Sequence, residues 1–443
     1  MSLAKTGVED PRWSPIGGDI GCDGQVNVVT TGPDGSIYYG GQFASCGGVR
    51  ASRIARFDPA SRQWSAVGIG PDQGVDGVVF DLAVGGGSLY VAGNFSRAGG
   101  LTAQRVARYE FASGRWFSLG AGTENGVAGS SGAALAIAVD GSQIYVGGEL
   151  TAAGGRPAQR IARFDSTRGT WFPLGAGSDG VAGPTQVVLD IAASGGVVYV
   201  AGGFSTAGGQ PARNIARYVL ASDAWFPLTA GPTNGVGDVA NVATAVLIAD
   251  GDAYVGGDFT TAGGASANHI ARYDATLDTW SALPGSGGAN GTNGVVNALA
   301  RAGTTLYVGG NFGQAGGATA AHAARFDLGS PSWSALTDSA LGVGSPIGSL
   351  ALSGTELFAG GGFLTAAGLV ANRVASLDTI SGARWEPLDP QSNGFPFGSG
   401  GPNRVASDGA RLVACGGFSS VAGMSVNGLA VFDRTSGRWS PIG

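Results

Sequence analysis

Six polar residues stand at two adjacent positions of a repeated segment in this chain of 443 residues, and they are its best candidates for acid–base chemistry. The charged members are Asp81, Asp190 and Arg404, and the amides one position earlier are Asn27, Asn297 and Asn403. If the repeated segments surround a channel, the carboxylates converge there and suit general acid–base catalysis. The other six copies lack Asp at this position, which favours a structural role instead.

The two histidines, His269 and His322, are the imidazoles available to a Ser–His–acid hydrolase or a metal site. Both stand just before the third strand-like segment of their repeat, where several other copies have Arg or Asn. A position that accepts Arg, Asn or His is predicted to be a solvated rim position without a catalytic role. The chain also has no GxSxG or HExxH motif, so histidine catalysis and a catalytic metal are not expected.

The three cysteines, Cys22, Cys46 and Cys415, show no CxxC or similar metal-binding spacing. Cys46 and Cys415 replace the Ala or Gly of other copies, and this exchange predicts small buried thiols. A disulfide between Cys22 and Cys46 is the alternative interpretation.

Calcium is the one cofactor for which the sequence offers a candidate site. The stretch 19–24 and the long polar loops after the fourth strand-like segments contain Asp and carbonyl oxygens, which are the ligands that Ca²⁺ takes. These loops span 70–77, 122–129, 177–183, 231–238 and 288–294. None has the EF-hand spacing, and Asn-Gly and Asp-Gly pairs form turns without any ion, so a turn is the favoured interpretation.

The candidate residues belong to one segment that occurs eight times, as in IYVGGELTAAGGRPAQRIARFDSTRGTWFPLGAG at 144–177. A phenylalanine, or Leu150 in the third copy, marks each repeat at intervals of 51 to 55 residues. A fixed period of this size is typical of a repeat architecture. We predict a single domain of residues 1–443, with an N-terminal strand at 12–17 and repeats at 18–68, 69–120, 121–175, 176–229, 230–284, 285–337, 338–389 and 390–443.

Each repeat contains four strand-like segments separated by Gly-rich turns or by turns that begin with Asp, and no window has a helical period. Four antiparallel strands in each of eight repeats predict an all-β chain. The predicted fold is an eight-bladed β-propeller of four-stranded antiparallel blades.

Tryptophan and arginine recur at fixed positions, which indicates packing. Eight Trp open the fourth strand-like segments and are predicted to be structural: Trp64, Trp116, Trp171, Trp225, Trp280, Trp333, Trp385 and Trp439. A ninth, Trp13, belongs to the N-terminal strand. Six Arg of the third segments are predicted to hydrogen-bond neighbouring strands or blades: Arg56, Arg108, Arg163, Arg217, Arg272 and Arg325. The alternative is that these arginines bind an anionic ligand, but such a site would need asymmetry among the repeats.

The glycine pair, the aromatic-Asp pair and the Trp six residues later resemble the kelch repeat. The fuller pattern YVGGxFxxAGGxxAxxIARYD…W…LG resembles the repeats of the fungal cortical cell-polarity marker family and its bacterial surface-protein relatives, over residues 13 to 443. The resemblance implies a propeller. It does not fix the function, because kelch-type propellers serve as enzymes, adaptors and surface scaffolds. Ser376 and Val431 replace the recurrent Arg, so the last two repeats diverge from the pattern.

Charge and hydropathy restrict the partners. The net charge is −6 and the arginines are dispersed, which argues against a nucleic-acid-binding surface. No apolar run is long enough to predict a membrane span. Two functions remain: a non-enzymatic scaffold that binds protein or glycan through one loop face, and a hydrolase or lyase with its site at the channel mouth. The scarcity of His, Lys and Glu favours the scaffold, in an extracellular or cell-surface location.

The two chain ends nearly repeat each other. Residues 12–17 read RWSPIG, and so do residues 438–443. Both are predicted to be fourth strands, which gives nine strands for eight positions. One copy is therefore predicted to complete the eighth blade, while the other lies outside it or pairs with another molecule, which would allow self-association.

Overall fold

The computed structural model describes residues 25–34, 36–46, 48–58, 63–69, 73–120, 125–129, 132–175, 180–183, 187–228, 234–237, 241–336, 343–353, 355–361, 363, 365–367, 369–370, 374–379, 386–387, 402–407, 411–422, 424–426 and 428–441. Regular structure in these residues is β-strand, apart from the short 3-10 helices Leu220–Ser222 and Ser286–Gly288. The all-β prediction is confirmed. Within the same residues, no helix has the length and apolar character needed to cross a membrane.

Eight antiparallel sheets of four strands each, called blades 1 to 8 in chain order, account for most of the described residues. The four strands of each blade follow one another in the chain, apart from a small two-stranded hairpin between the second and the third. The first strands are Gln25–Thr31, Val78–Gly85, Ala134–Asp140, Val187–Ser194, Val242–Ala249, Val296–Ala302, Ile347–Ser353 and Pro402–Ser407. The second strands are Ile37–Gln42, Ser88–Asn94, Gln143–Gly148, Val197–Gly203, Asp252–Asp258, Thr305–Gly310, Glu356–Gly361 and Arg411–Gly416.

The outer half of each blade contains two shorter strands. The third strands are Ile54–Asp58, Val106–Glu110, Ile161–Asp165, Ile215–Val219, Ile270–Asp274, Ala323–Asp327, Val374–Asp378 and Leu429–Asp433. The fourth strands are Gln63–Ala66, Arg115–Ser118, Thr170–Pro173, Ala224–Phe226, Thr279–Ala282, Ser332–Ala335, Glu386–Pro387 and Arg438–Pro441.

The blades form a ring. The first strand of each blade packs against that of the next, and the first strand of blade 1 packs against blade 8. At this last junction Tyr39 and Cys46 of blade 1 share a buried cluster with Val413 and Cys415 of blade 8. A ring of four-stranded blades is the architecture of a β-propeller, as predicted, and the eight sheets agree with the predicted number of blades.

The core lies between blades. The second strand of blade 2, Ser88–Asn94, has six buried residues in a row, because both faces of its sheet are covered by neighbouring blades. Burial on both faces explains why this strand is continuously apolar instead of alternating.

One side of the ring, called the loop face, carries two kinds of connection. A small hairpin of two two-residue strands joins the second and third strands of each blade. The hairpin strands are Ser45–Cys46 and Val49–Arg50, Arg97–Ala98 and Leu101–Thr102, Ala152–Ala153 and Arg156–Pro157, Thr206–Ala207 and Gln210–Pro211, Thr261–Ala262 and Ala265–Ser266, Gln314–Ala315 and Ala318–Thr319, Thr365–Ala366 and Leu369–Val370, and Ser420–Val421 and Met424–Ser425.

The second kind of connection is the loop that joins each blade to the next. Two of these loops contain a short strand, Val127–Ala128 and Val181–Ala182, which pairs with the small hairpin of blade 3 or blade 4. In the loop before blade 2, the carbonyl of Gly74 accepts a hydrogen bond from the N–H of Gly99 in the hairpin, at 2.9 Å. The loops and the hairpins therefore form one surface.

Candidate functional site

The predicted channel residues lie at β-bulges of the first strands. The pairing of the first and second strands shifts by one residue at this position in all eight blades. Asn27 donates from Nδ2 to the carbonyl of Val79 in the next blade at 2.8 Å. Asn297 makes the same bond to Ile347, at 3.0 Å. Both amides thus link one blade to the next.

Asp81 serves two blades with its two carboxylate oxygens. Oδ1 accepts the N–H of Leu82 in its own strand at 2.9 Å, and Oδ2 accepts the N–H of Ile137 in blade 3 at 2.8 Å. A bulge removes ladder partners from backbone groups, and the carboxylate supplies an acceptor for them.

Asp190 repeats this arrangement between blades 4 and 5. Its oxygens accept the N–H groups of Ile191 at 2.9 Å and Val246 at 3.0 Å. One carboxylate thus links two consecutive blades at the junction of blades 2 and 3 and again at the junction of blades 4 and 5.

Thr244 is a member of the same set that the sequence analysis did not single out. Its Oγ1 donates to the carbonyl of Val296 in blade 6 at 2.8 Å. The side chains of Asn403 and Arg404 fall outside the described part of the structure. The described members are directed around the ring from one blade to the next, and they do not converge on a common point in the channel.

The third-strand arginines find their partners mostly within their own blade. Arg163 is 8% exposed, donates from Nη1 to Gln143 at 2.6 Å and lies over the Phe172 ring at 4.5 Å. Arg272 pairs with Asp252 at 2.5 Å. Arg56 pairs with Asp34 at 3.0 Å, and Arg108 lies over the Phe117 ring at 4.7 Å. Arg217 lies over the Phe226 ring at 5.3 Å and over the Tyr273 ring of the next blade at 5.5 Å. The guanidinium of Arg325 has no hydrogen bond or ion pair among the described residues.

The tryptophans join consecutive blades at the outer strands. Trp171 is 2% exposed, and its Nε1 donates to the carbonyl of Leu119 in the preceding blade at 2.6 Å. The same bond joins Trp116 to Val67, Trp225 to Leu174, Trp280 to Leu228 and Trp333 to Leu283. Trp64 and Trp439 are buried against the rings of Tyr39 and Phe432. Trp13 and Trp385 lie outside the described residues.

The position that holds the two histidines is partly buried in blades 1, 2, 3, 5 and 6 and fully buried in blade 4, so it is less solvated than the sequence predicts. The blade 4 residue there, Asn214, is 0% exposed and donates from Nδ2 to the carbonyl of Val236 at 2.9 Å. His269 and His322 are half-buried in the same left-handed conformation. Burial lowers the pKa of both imidazoles, and for His269 a hydrogen bond to the carbonyl of Gly257 opposes this shift only in part.

The acidic and amide side chains of the long loops stabilise the loop face itself. Asn293 accepts the N–H groups of Gly313 and Gln314 at 2.8 and 2.9 Å, and Asn125 donates to Thr102 at 2.9 Å. The described residues contain no group of three or more His, Cys, Asp or Glu that could hold a metal ion. Residues 19–24 lie outside them, and calcium binding stays a prediction.

The cysteines differ from one another. Cys415 is a buried free thiol, as predicted. Cys46 is equally buried but is disulfide-bonded, so the thiol prediction is wrong for this residue.

A cleft of about 330 Å³ opens on the loop face where blade 1 meets blade 2. Its walls are the small hairpins of the two blades, the residues just before the third strand of blade 1, and the loop between the blades. The charged residues that line this cleft are Arg50, Arg53, Arg97 and Asp76. We call it the arginine cleft.

Asp76 holds the blade 2 wall of the arginine cleft in place. Its Oδ1 accepts the N–H groups of Ser96 at 2.7 Å and Arg97 at 2.9 Å, and its Oδ2 accepts the Ser96 hydroxyl at 2.6 Å. Partial burial raises the pKa of Asp76, but these hydrogen bonds outweigh it and the pKa lies below its ordinary value. The carboxylate is therefore ionised at neutral pH and engaged with the hairpin.

The three guanidinium groups keep most of their donors available. Arg53 uses Nη1 for the carbonyl of Phe43 at 2.8 Å, and Arg97 uses Nη2 for the carbonyl of Gly100 at 2.5 Å. Arg50 is exposed and makes no side-chain hydrogen bond or ion pair within the described part of the chain. Since each guanidinium has five N–H donors, the cleft presents a concentrated set of unused, positively charged donors.

Arg50 and Arg97 depart from the repeat. The matching residues of blades 3 to 6 are Pro157, Pro211, Ser266 and Thr319 for Arg50, and Ala152, Thr206, Thr261 and Gln314 for Arg97. The asymmetry that a ligand site requires is thus present here. The sequence shows both arginines as departures from the repeat, but only the fold places Arg50 and Arg97 in one cleft.

Comparison with known proteins agrees with the architecture. Residues 32–61 and 248–278 match the model of a domain of unknown function that is described as a β-propeller. The crystal structure of the computationally designed Ika8 protein is similar to this chain with a TM-score of 0.57 and 13% identity, over 93% of this chain and 97% of the designed one. This protein is a β-propeller. No curated protein matches it.

Proposed function

We propose that this propeller is a non-enzymatic scaffold or binding protein that presents its loop face to a protein or glycan partner. The arginine cleft carries the proposal, because it combines a concave surface, unsatisfied donors and residues that depart from the repeat. The resemblance to kelch-type and fungal cell-polarity repeats implies a propeller, and adaptors and surface scaffolds are among the proteins built from such repeats. The hydrolase or lyase alternative is not favoured, because the carboxylates of Asp81 and Asp190 are bonded to backbone amides.

We propose an extracellular or cell-surface location for this activity. The disulfide at Cys46 supports it, because disulfides persist mainly in oxidising compartments.

The test is to block the loop face chemically. Thr102→Cys and Thr319→Cys place single thiols on exposed hairpin positions of the loop face, and Leu277→Cys places one on a turn that is 70% exposed between a third and a fourth strand. Each variant is conjugated to polyethylene glycol and screened against arrays of glycans and of secreted and surface proteins. The unsubstituted chain, treated in the same way, provides the background.

We expect that ligands bound by the unmodified chain no longer bind the Thr102 or the Thr319 conjugate but still bind the Leu277 conjugate. Ligands that bind all three conjugates equally, or no specific ligand in either array, would contradict the proposal.

A further inference from the structure

The arginine cleft has a charge opposite to that of the protein as a whole. The chain has 25 Lys and Arg against 31 Asp and Glu, yet three Arg and one Asp meet in this cleft. Asp76 is engaged with Ser96 and the backbone, and no ion pair joins it to these arginines among the described residues, so positive charge is in excess in the cleft. A planar guanidinium donates two parallel hydrogen bonds to a carboxylate, which makes carboxylates the matching ligand chemistry.

The surroundings of the cleft indicate which molecule carries the carboxylate. Leu101 follows the cleft residue Gly100 and is 47% exposed. Ile69 is 62% exposed and follows Gly68. A Cβ added at Gly68 or at the cleft residue Gly99 would lie within 3 Å of Cδ1 of Trp116, so Ile69 also belongs to this part of the blade 1–blade 2 junction.

Exposed aliphatic side chains beside arginines that have no ion pair among the described residues are typical of a protein interface, in which Arg is enriched and apolar residues form the centre. The described lining of the cleft contains no aromatic ring on which a sugar could stack. The volume of about 330 Å³ suits one or two side chains at a time.

We infer that the arginine cleft binds an acidic segment of a partner protein, whose carboxylates contact Arg50 and Arg97 and whose neighbouring aliphatic side chain packs on Leu101. This inference rests on the proposed function and names the partner class for the same face. Arg53 also lines the cleft, and its Nη1 donates to the carbonyl of Phe43.

The experiment uses the full chain and two charge-matched double variants. Arg50→Ser/Arg97→Thr installs the residue types that blades 5 and 4 have at these positions. Arg115→Ser/Arg156→Thr removes two exposed arginines outside the cleft and is the control. Random dodecapeptides displayed on phage are selected on the unsubstituted chain. The enriched peptides, and counterparts with Gln for Glu and Asn for Asp, are then titrated by fluorescence polarisation.

We expect enriched peptides that combine Asp or Glu with Leu or Ile. Their Kd should rise about tenfold or more in Arg50→Ser/Arg97→Thr and in the amide counterparts, and stay within about twofold in the control. Binding should also weaken as NaCl is added. Thermal melting of both variants should match the unsubstituted chain, because all four arginines are exposed.

Four results would overturn the inference. The first is enrichment of peptides without acidic residues, and the second is equal affinity of the peptides for both double variants. The third is binding of polygalacturonate or chondroitin sulfate that depends on Arg50 and Arg97, with no such binding of any peptide. This third result would leave the proposed function standing with a glycan partner. Sedimentation of the unsubstituted chain as a dimer that dissociates in Arg50→Ser/Arg97→Thr would identify a second copy as the occupant and also overturn it. Failure of the proposed function would give a different result, because ligands would then bind the Thr102 and Thr319 conjugates as well as they bind the unmodified chain.

Discussion

The carboxylate of Asp81 accepts the backbone N–H of Ile137 across the junction of blades 2 and 3, at 2.8 Å. The other oxygen of the same carboxylate accepts the N–H of Leu82 in its own bulge. One side chain therefore holds two neighbouring first strands in register. A residue that looks catalytic in a sequence of repeats can thus be explained by the backbone groups that a bulge leaves unpaired.

Replacing Asp81 with Ala removes the acceptor of two N–H groups. We expect the free energy of unfolding to fall by about 1–3 kcal/mol, because donors at the interface between blades lose their partner. Chemical denaturation measures this change. Asp258→Ala is the control, since its side chain is 56% exposed and has no bond to the next blade among the residues that the structure describes. Equal stability of the two variants would show that Asp81 does not stabilise the junction. Asp81 would then again be a candidate for acid–base chemistry in the channel.

Arg163 and Arg272 occupy the same repeat position but different environments. Arg163 is 8% exposed and bonded to Gln143, whereas the side chain of Arg272 is 40% exposed. Arg163→Ala is expected to cost about 1–3 kcal/mol of unfolding free energy, because it leaves the partly buried acceptor of Gln143 unpaired and removes the contact with Phe172. Arg272→Ala should cost less, because water can replace its bonds to Asp252. Thermal melts that are unchanged for both variants would contradict a structural role for this position.

The histidines make stability depend on pH. Burial holds the pKa of His269 and His322 below the ordinary value of 6.5, so the unfolded chain binds more protons than the folded chain as pH falls through that value. The stability is complete above about pH 6.5 and is lost progressively below it.

Replacing both histidines with Asn should reduce this loss, because Asn does not titrate and Asn214 already occupies the same left-handed position in blade 4. The comparison is the fall in melting temperature between about pH 7.5 and about pH 5, where the double variant should fall less than the unsubstituted chain. An identical fall in both proteins would assign the pH dependence to other groups.

The fold was predictable to the level of blades because its determinants are local and periodic. Each Trp of the fourth strands marks the same contact, and each glycine pair marks the same hairpin turn, so eight copies of the pattern reinforce one another. The partners of the bulge residues were not predictable, since Asp81 and Ile137 are 56 residues apart and meet only when two blades pack. Arg50 and Arg97 were missed for the same reason: they belong to different repeats and share a cleft only in the ring.

The C-terminal copy of the duplicated terminal segment forms the fourth strand of blade 8. Arg438–Pro441 pairs with the third strand Leu429–Asp433, and Trp439 lies opposite Phe432. The N-terminal copy at 12–17 lies outside the described residues. Since the position in blade 8 is filled by the C-terminal copy, deleting residues 1–17 should leave the folded ring intact.

The measurement is the thermal melt and the sedimentation of the chain without residues 1–17, compared with the full chain. An intact melt is expected, because blade 1 packs on blade 8 through first strands that the deletion does not touch. If the N-terminal copy pairs with another molecule, its removal should also abolish any self-association, since an edge strand with unpaired N–H and C=O groups is lost. Failure of the shortened chain to fold, with Arg438–Pro441 present, would show that the two copies are not interchangeable and that the N-terminal segment is itself needed to close the ring.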